Sequence, residues 1–181
     1  EGVMGSWGGR SAKDGIDGLT NPGAGLTNMP VELLEARYPL RVERYGFTLN
    51  SGGAGRRRGG MALTRSYRVL GDSAQLTVRS DRRAHRPPGL SGGLAGSPSL
   101  NVLERDGMRE LLPVMPMQTI ALQQGDLFIH VAPGAGGHGP PLERDPHKVA
   151  EDVADRRITA AFARDVYGVA LDAGGGADVA A

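Results

Sequence analysis

NSGGAGRRRGG, residues 50–60, places five glycines and three arginines in eleven positions. None of these side chains builds a core. Glycine-rich loops with basic residues often hold phosphate, so the flanks decide what this one is. Before it, Tyr45, Phe47 and Leu49 alternate with polar residues. After it, Met61, Leu63, Tyr67 and Val69 alternate again, with Arg65 interrupting the apolar face. A period of two marks strands, not a helix. A dinucleotide loop opens a helix whose N-terminus takes the pyrophosphate, and a P-loop ends in Lys followed by Ser or Thr. Residues 50–60 do neither. They read as a strand connection in which glycine supplies positive φ.

Beyond these flanks, Gly71-Asp72-Ser73 turns the chain and Leu76 and Val78 continue the alternation, so a three-stranded meander is expected. Upstream, PVELLEAR (30–37) reads as a two-turn helix with Pro30 in first position, ended by Pro39. Residues 1–30 and 81–100 read as loop. Downstream, 101–112 reads as a hairpin turning at Asp106-Gly107, and 119–131 as another turning at Gly125-Asp126. A second glycine loop spans Pro133 to Gly139. Asp145 and Pro146 start a helix to about Asp155. Thr159 caps another over Ala160–Tyr167, with Gly168 past its end. The expected fold class is α+β: a β-rich body of antiparallel hairpins with long glycine-rich loops (1–142), a short C-terminal helical pair (143–172) and a frayed tail (173–181).

Composition narrows the function. Apolar residues make up 39%, aromatics only 4%, and the 29 glycines point to much loop and turn. The net charge of +1 gives no global attraction to nucleic acid or acidic lipid. No cysteine is present, which excludes a disulfide scaffold and a thiol nucleophile. No apolar run approaches a membrane span. The four histidines, at 85, 130, 138 and 147, lack metal-ligand spacing. The opening EGVMGSWGGR begins at Glu1 and reads as continuing from an upstream part.

Several segments share one resemblance. NSGGAGRRRGG resembles the D-S-G-G-A-G-x-x-R-G-G signature of the hydantoinase B/oxoprolinase family. PVELLEARYPLRVERY (30–45) is similar to the segment preceding it there. GGRSAKDGIDG (8–18) resembles G-A-R-x-G-x-D-G-x-D-G. Ser80-Asp81-Arg82, followed by PGLSGGLAG (88–96), and PGAGGHGPPLERDP (133–146) resemble further motifs, in family order. Asn50 stands where the pattern has Asp, and His138 and Pro140 where it has Tyr and Asp.

The resemblance implies a bacterial, cytoplasmic enzyme part: the C-terminal portion of a B-type subunit in an ATP-dependent hydrolase of cyclic amides, inactive alone. Its partners would be an A-type ATP-binding subunit or domain, the N-terminal part of the same subunit, and a cyclic-amide substrate. No cofactor is expected on this portion; ATP and a divalent metal belong to the complete enzyme. Arginine forks and backbone N–H groups suit the charge that develops on an attacked amide oxygen. The candidate catalytic residues are therefore Arg10, Asp14, Asp17, Arg58, Asp81 and Arg82. Ser51, Gly52, Gly53, Gly55, Arg56, Gly59 and Gly60 are the candidate substrate-binding residues. Two alternatives stand beside this reading. One is a carboxylase subunit of the acetone carboxylase type. The other is a polyanion-binding module using residues 56–86, which hold nine arginines against Asp72 and Asp81. Scarce aromatics and the absence of a nucleic-acid motif disfavour the latter.

Overall fold

The two alternating segments around residues 50–60 become the strands that organise the sheet. The computed structural model describes residues 2–19, 21, 23, 25 and 27–177. Its strands are β1 (Leu40–Phe47), β2 (Leu63–Val69), β3 (Ser73–Leu76), β4 (Leu100–Arg105), β5 (Met108–Leu111), β6 (Ile120–Gln123) and β7 (Leu127–Val131). Its helices are α1 (Val31–Arg37), α2 (Pro146–Ala154) and α3 (Ala160–Tyr167). Five strands form one antiparallel sheet in the order β1-β2-β7-β4-β5. The α+β class with a β-rich body and a C-terminal helical pair is what the sequence led us to expect.

β1 and β2 pair with Tyr45 opposite Arg65. Arg65, which interrupts the apolar pattern, is wholly buried. Its guanidinium carbon lies 4.5 Å from the Tyr45 ring centre and 5.5 Å from that of Tyr67. It also donates to the Met29 carbonyl at 3.2 Å. Aromatic faces and a carbonyl thus replace water around the charge.

The expected meander does not form. β3 pairs with β6 in a separate two-stranded ribbon. Both edges of β2 are already taken, by β1 and β7. The Leu70 and Gly71 amides donate to the Pro39 carbonyl, which turns the chain away (2.8 and 3.3 Å). The expected 119–131 hairpin fails too, because both edges of β7 are taken by β2 and β4. Its turn falls at Gln124-Gly125, and β6 and β7 then enter different sheets. Leu76, Ile120 and Leu122 of the ribbon pack with Val69, Leu103 and Phe128 of the sheet into one core.

Local signals hold better. Asp106 and Gly107 take positive φ (50° and 76°) between β4 and β5. Asp145 caps α2 through the His147 amide, and Thr159 caps α3 through the Phe162 amide. Gly168 ends α3 at φ 68°. α1 starts one residue later than expected, with Pro30 in the cap position. The helical pair shares a second core with the signature loop: Val149, Ile158, Ala163 and Tyr167 close around Ala54. Residues 178–181 of the tail lie outside the described residues, while Leu171 and Ala177 are bridged around a turn at Asp172–Gly176. Among the described residues no helix is long and apolar enough to cross a membrane.

Candidate functional site

The motif segments, separate in sequence, lace together through their backbones. Gly53 N–H donates to Ala135 O, Ala135 N–H to Gly60 O, and Gly60 N–H to Trp7 O (2.8, 2.9 and 2.9 Å). Leu94 N–H donates to Ala54 O, Gly137 N–H to Leu94 O, and Gly9 N–H to Gly136 O (2.7, 2.9 and 2.8 Å). Four glycine-bearing segments (residues 5–18, 50–60, 88–97 and 133–139) therefore form one close-packed lattice. Positive φ is not the reason for glycine in residues 50–60, contrary to expectation: none of the five has it, whereas Asn50 does (58°). Glycine is required by proximity. A Cβ on Gly59 would collide with the Ala135 carbonyl, and one on Gly53 with that of Leu94.

A buried ion cluster ties this lattice to the helices. Arg58 is 8% exposed. Its Nε donates to Asp152 at 3.0 Å, and its Nη1 to Asp17 at 3.2 Å and Gly59 O at 3.1 Å. Its backbone N–H donates to Asp14 at 2.9 Å. Arg144, 4% exposed, forks onto Asp14 (2.8 and 2.9 Å) and onto Asp152 (3.1 and 2.7 Å). Arg157 pairs with Asp17. Three carboxylates meet three guanidiniums. Burial pulls the Asp14 carboxyl upward, but Arg144 and Arg58 outweigh it and hold its pKa below the ordinary value. Burial likewise works against the Arg144 charge, and its two carboxylate partners reverse that and raise its pKa. Tyr167 beside the cluster is pushed up to about 12 by burial.

The sequence-predicted residues thus divide. Asp14, Asp17 and Arg58 are brought together and engaged with one another. Arg10, Asp81 and Arg82 are exposed. Arg10 lies over the Trp7 ring at 5.9 Å. Asp81 and Arg82 line an open pocket with Arg83, His85 and Pro113. Ser51 is buried, with its hydroxyl donating to Thr48 O and accepting from Ala62 N–H. Arg56 reaches Glu143. The amides of Gly53, Gly59 and Gly60 bond within the lattice, and that of Gly55 bonds Tyr167. These four donors face internal acceptors.

Sequence reading missed Arg144, Asp152, Arg157 and Tyr167. Asp152 carried a signal: it sits three residues after Val149 and one before Val153, on the apolar face of α2, where a carboxylate needs a buried partner. The basic stretch 56–86 does not form one surface. Arg58 and Arg65 are buried, while Arg56 and Arg68 pair with Glu143 and Glu43.

The titrating groups set a pH dependence. His130 is half-buried, bonded through Nδ1 to Asn101 Oδ1 at 2.7 Å, and burial lowers its pKa. Asp126 is lowered by its Arg105 partner. All three depressed groups, His130, Asp14 and Asp126, bind protons more readily in the unfolded chain. Stability is then expected to be complete above a pH of about 6.5 and to fall on acidification, first through His130. A further loss is expected below about 4 through Asp14 and Asp126. Urea midpoints between pH 8 and 3 measure this; a flat profile would contradict the assignment.

Known proteins share this architecture. The family model for "Hydantoinase B/oxoprolinase" matches residues 1–141. A putative B-type D-/L-hydantoinase component from Pseudomonas sp. (strain NS671) is 36% identical over 172 residues, covering 93% of this chain and 28% of that protein. The crystal structure of ATP-dependent caprolactamase from Pseudomonas jessenii superposes with a TM-score of 0.78 at 30% identity, over 97% of this chain and 31% of that one. The nucleotide-free structure of acetone carboxylase shares the fold, with a TM-score of 0.78 at 22% identity over 94% of this chain and 27% of that one. The chain thus spans between a quarter and a third of the length of these relatives. The matched residues hold the four lattice segments together with Asp14, Asp17 and Arg58, and this chain belongs to the hydantoinase B/oxoprolinase family.

Proposed function

We propose that this chain is the C-terminal part of a B-type subunit in an ATP-dependent enzyme that hydrolyses cyclic amides of the hydantoin, 5-oxoproline or lactam kind. The observation that carries the reading is its likeness, over nearly its whole length, to the ATP-dependent caprolactamase. In this reading Arg58, Asp14 and Asp17 are positioning residues. They fix the glycine lattice that presents the exposed Arg10, Asp81 and Arg82 to the rest of the enzyme. There the two arginines stabilise charge on the attacked amide oxygen, and Asp81 accepts a substrate N–H. Among the described residues no group of three His, Asp or Glu is placed to hold a metal ion. On the family resemblance, this reading assigns a divalent metal and ATP to other parts of a complete cytoplasmic enzyme, including an A-type partner.

The test is to tag this chain in its native host, isolate the complex it enters, and assay ring opening of hydantoin, 5-oxoproline and caprolactam with and without ATP. ATP-dependent opening of one of them is expected. Arg82→Ala is expected to lower its turnover roughly 100-fold, the usual loss for one oxyanion donor. ATP-driven incorporation of bicarbonate into a ketone, with no ring opening, would replace this reading with the carboxylase one.

A further inference from the structure

Arg57 departs from its neighbours. Arg56 reaches Glu143, and Arg58 is enclosed by Asp17 and Asp152. Arg57 is half-buried, yet no carboxylate among the described residues pairs with it, and its Nε is buried without a partner. A guanidinium stays charged at any ordinary pH, so a half-buried one without a counter-ion asks for an anion.

His138 stands directly across from it. The two backbones exchange hydrogen bonds, Arg57 N–H to His138 O at 2.9 Å and His138 N–H to Arg57 O at 2.8 Å. In such an antiparallel pair both side chains leave from the same face. His138 Nδ1 is also buried without a partner. Both orphan atoms are shut off from solvent, so an incoming group would meet the remaining nitrogens of the two side chains. The Arg57 terminal nitrogens and His138 Nε2 make no hydrogen bond among the described residues, and they are not closed off as the two orphan atoms are. The pair therefore opens outward. The Gly9 backbone packs against the backbones of both residues; a Cβ there would run into the Arg57 carbonyl.

We propose that Arg57 and His138 form a binding site for a small oxyanion, carboxylate or phosphate in kind. The guanidinium fork matches two oxygens of either group, and the imidazole adds a donor beside it. The site is separate from the Asp14–Arg58–Arg144 cluster and does not depend on the cyclic-amide reading. Its test is accordingly binding, not turnover.

The 181-residue chain is titrated at pH 7 with acetate and, separately, with inorganic phosphate. Sodium chloride holds the ionic strength, and the Arg57 Nε–H and His138 ring signals are followed by NMR. Saturable shifts of both residues with at least one oxyanion are expected, with half-saturation in the millimolar range. Acetate alone would identify a carboxylate site, phosphate alone a phosphate site. Arg57→Gln is expected to abolish saturation, and His138→Ala to weaken binding about tenfold. Linear shifts in the unaltered chain up to about 100 mM of both anions, or the same saturation with chloride, would overturn the proposal.

Discussion

Replacing Asp152 with alanine is expected to destabilise the chain by about 3–5 kcal/mol, enough to unfold a marginal domain. Asp152 is 5% exposed and receives Nε of Arg58 together with Nε and Nη2 of Arg144. Its loss leaves two buried guanidiniums each short of a partner, in a site that had balanced three charges of each sign. The intact cluster need not add much net stability, because desolvation offsets attraction. Removing one member is different, because the other charges stay buried. The control is Asp165→Ala. The Arg164–Asp165 pair is exposed on both sides, and its loss should leave the urea midpoint nearly unchanged. Urea midpoints at unchanged m-value measure both; equal effects would contradict the keystone role of Asp152.

Gly59→Ala is the second large effect, expected at about 3 kcal/mol or more. The new Cβ would collide with the backbone of Ala135 and approach the Gly136 carbonyl at 2.8 Å. Backbone cannot rotate aside as a side chain would, so the strands of the lattice must separate. Gly46→Ala is the matched control. Gly46 lies on edge strand β1 with nothing within 4 Å of the added carbon. That change should lie within about 0.5 kcal/mol of neutral. Similar losses at both positions would mean that close approach to Ala135 is not what requires glycine at position 59.

Neither effect could have been sized from the sequence, although much of the fold could be read there. Asp106-Gly107, the Asp145-Pro146 start and the Thr159 and Gly168 caps were legible because each is decided within about four residues. The β3–β6 pairing was not. Ser73–Leu76 and Ile120–Gln123 show which face is apolar, but four-residue segments so far apart carry no signal of partner. The glycines of residues 50–60 were legible as a loop, yet their reason was not. Positive φ is a local demand, while collision with Ala135 depends on a segment some 75 residues away. For the candidate site, motif order brought Asp14, Asp17 and Arg58 into view. Arg144 and Asp152 complete their charge balance; Arg144 stood in the quoted stretch 133–146 without being singled out, and Asp152 stood in no quoted motif. Asp152 belongs to α2, past residue 141, where the family match ends.

NSGGAGRRRGG is interior lattice, with its amides committed to the protein, and not an open cradle. Amide hydrogen exchange of Gly53, Arg57, Gly59 and Gly60 is the decisive measurement. These donors bond Ala135, His138, Gly53 and Trp7 carbonyls, so they should exchange only through opening as rare as global unfolding. Exchange of these four amides at the rate of an exposed loop would contradict the interior placement.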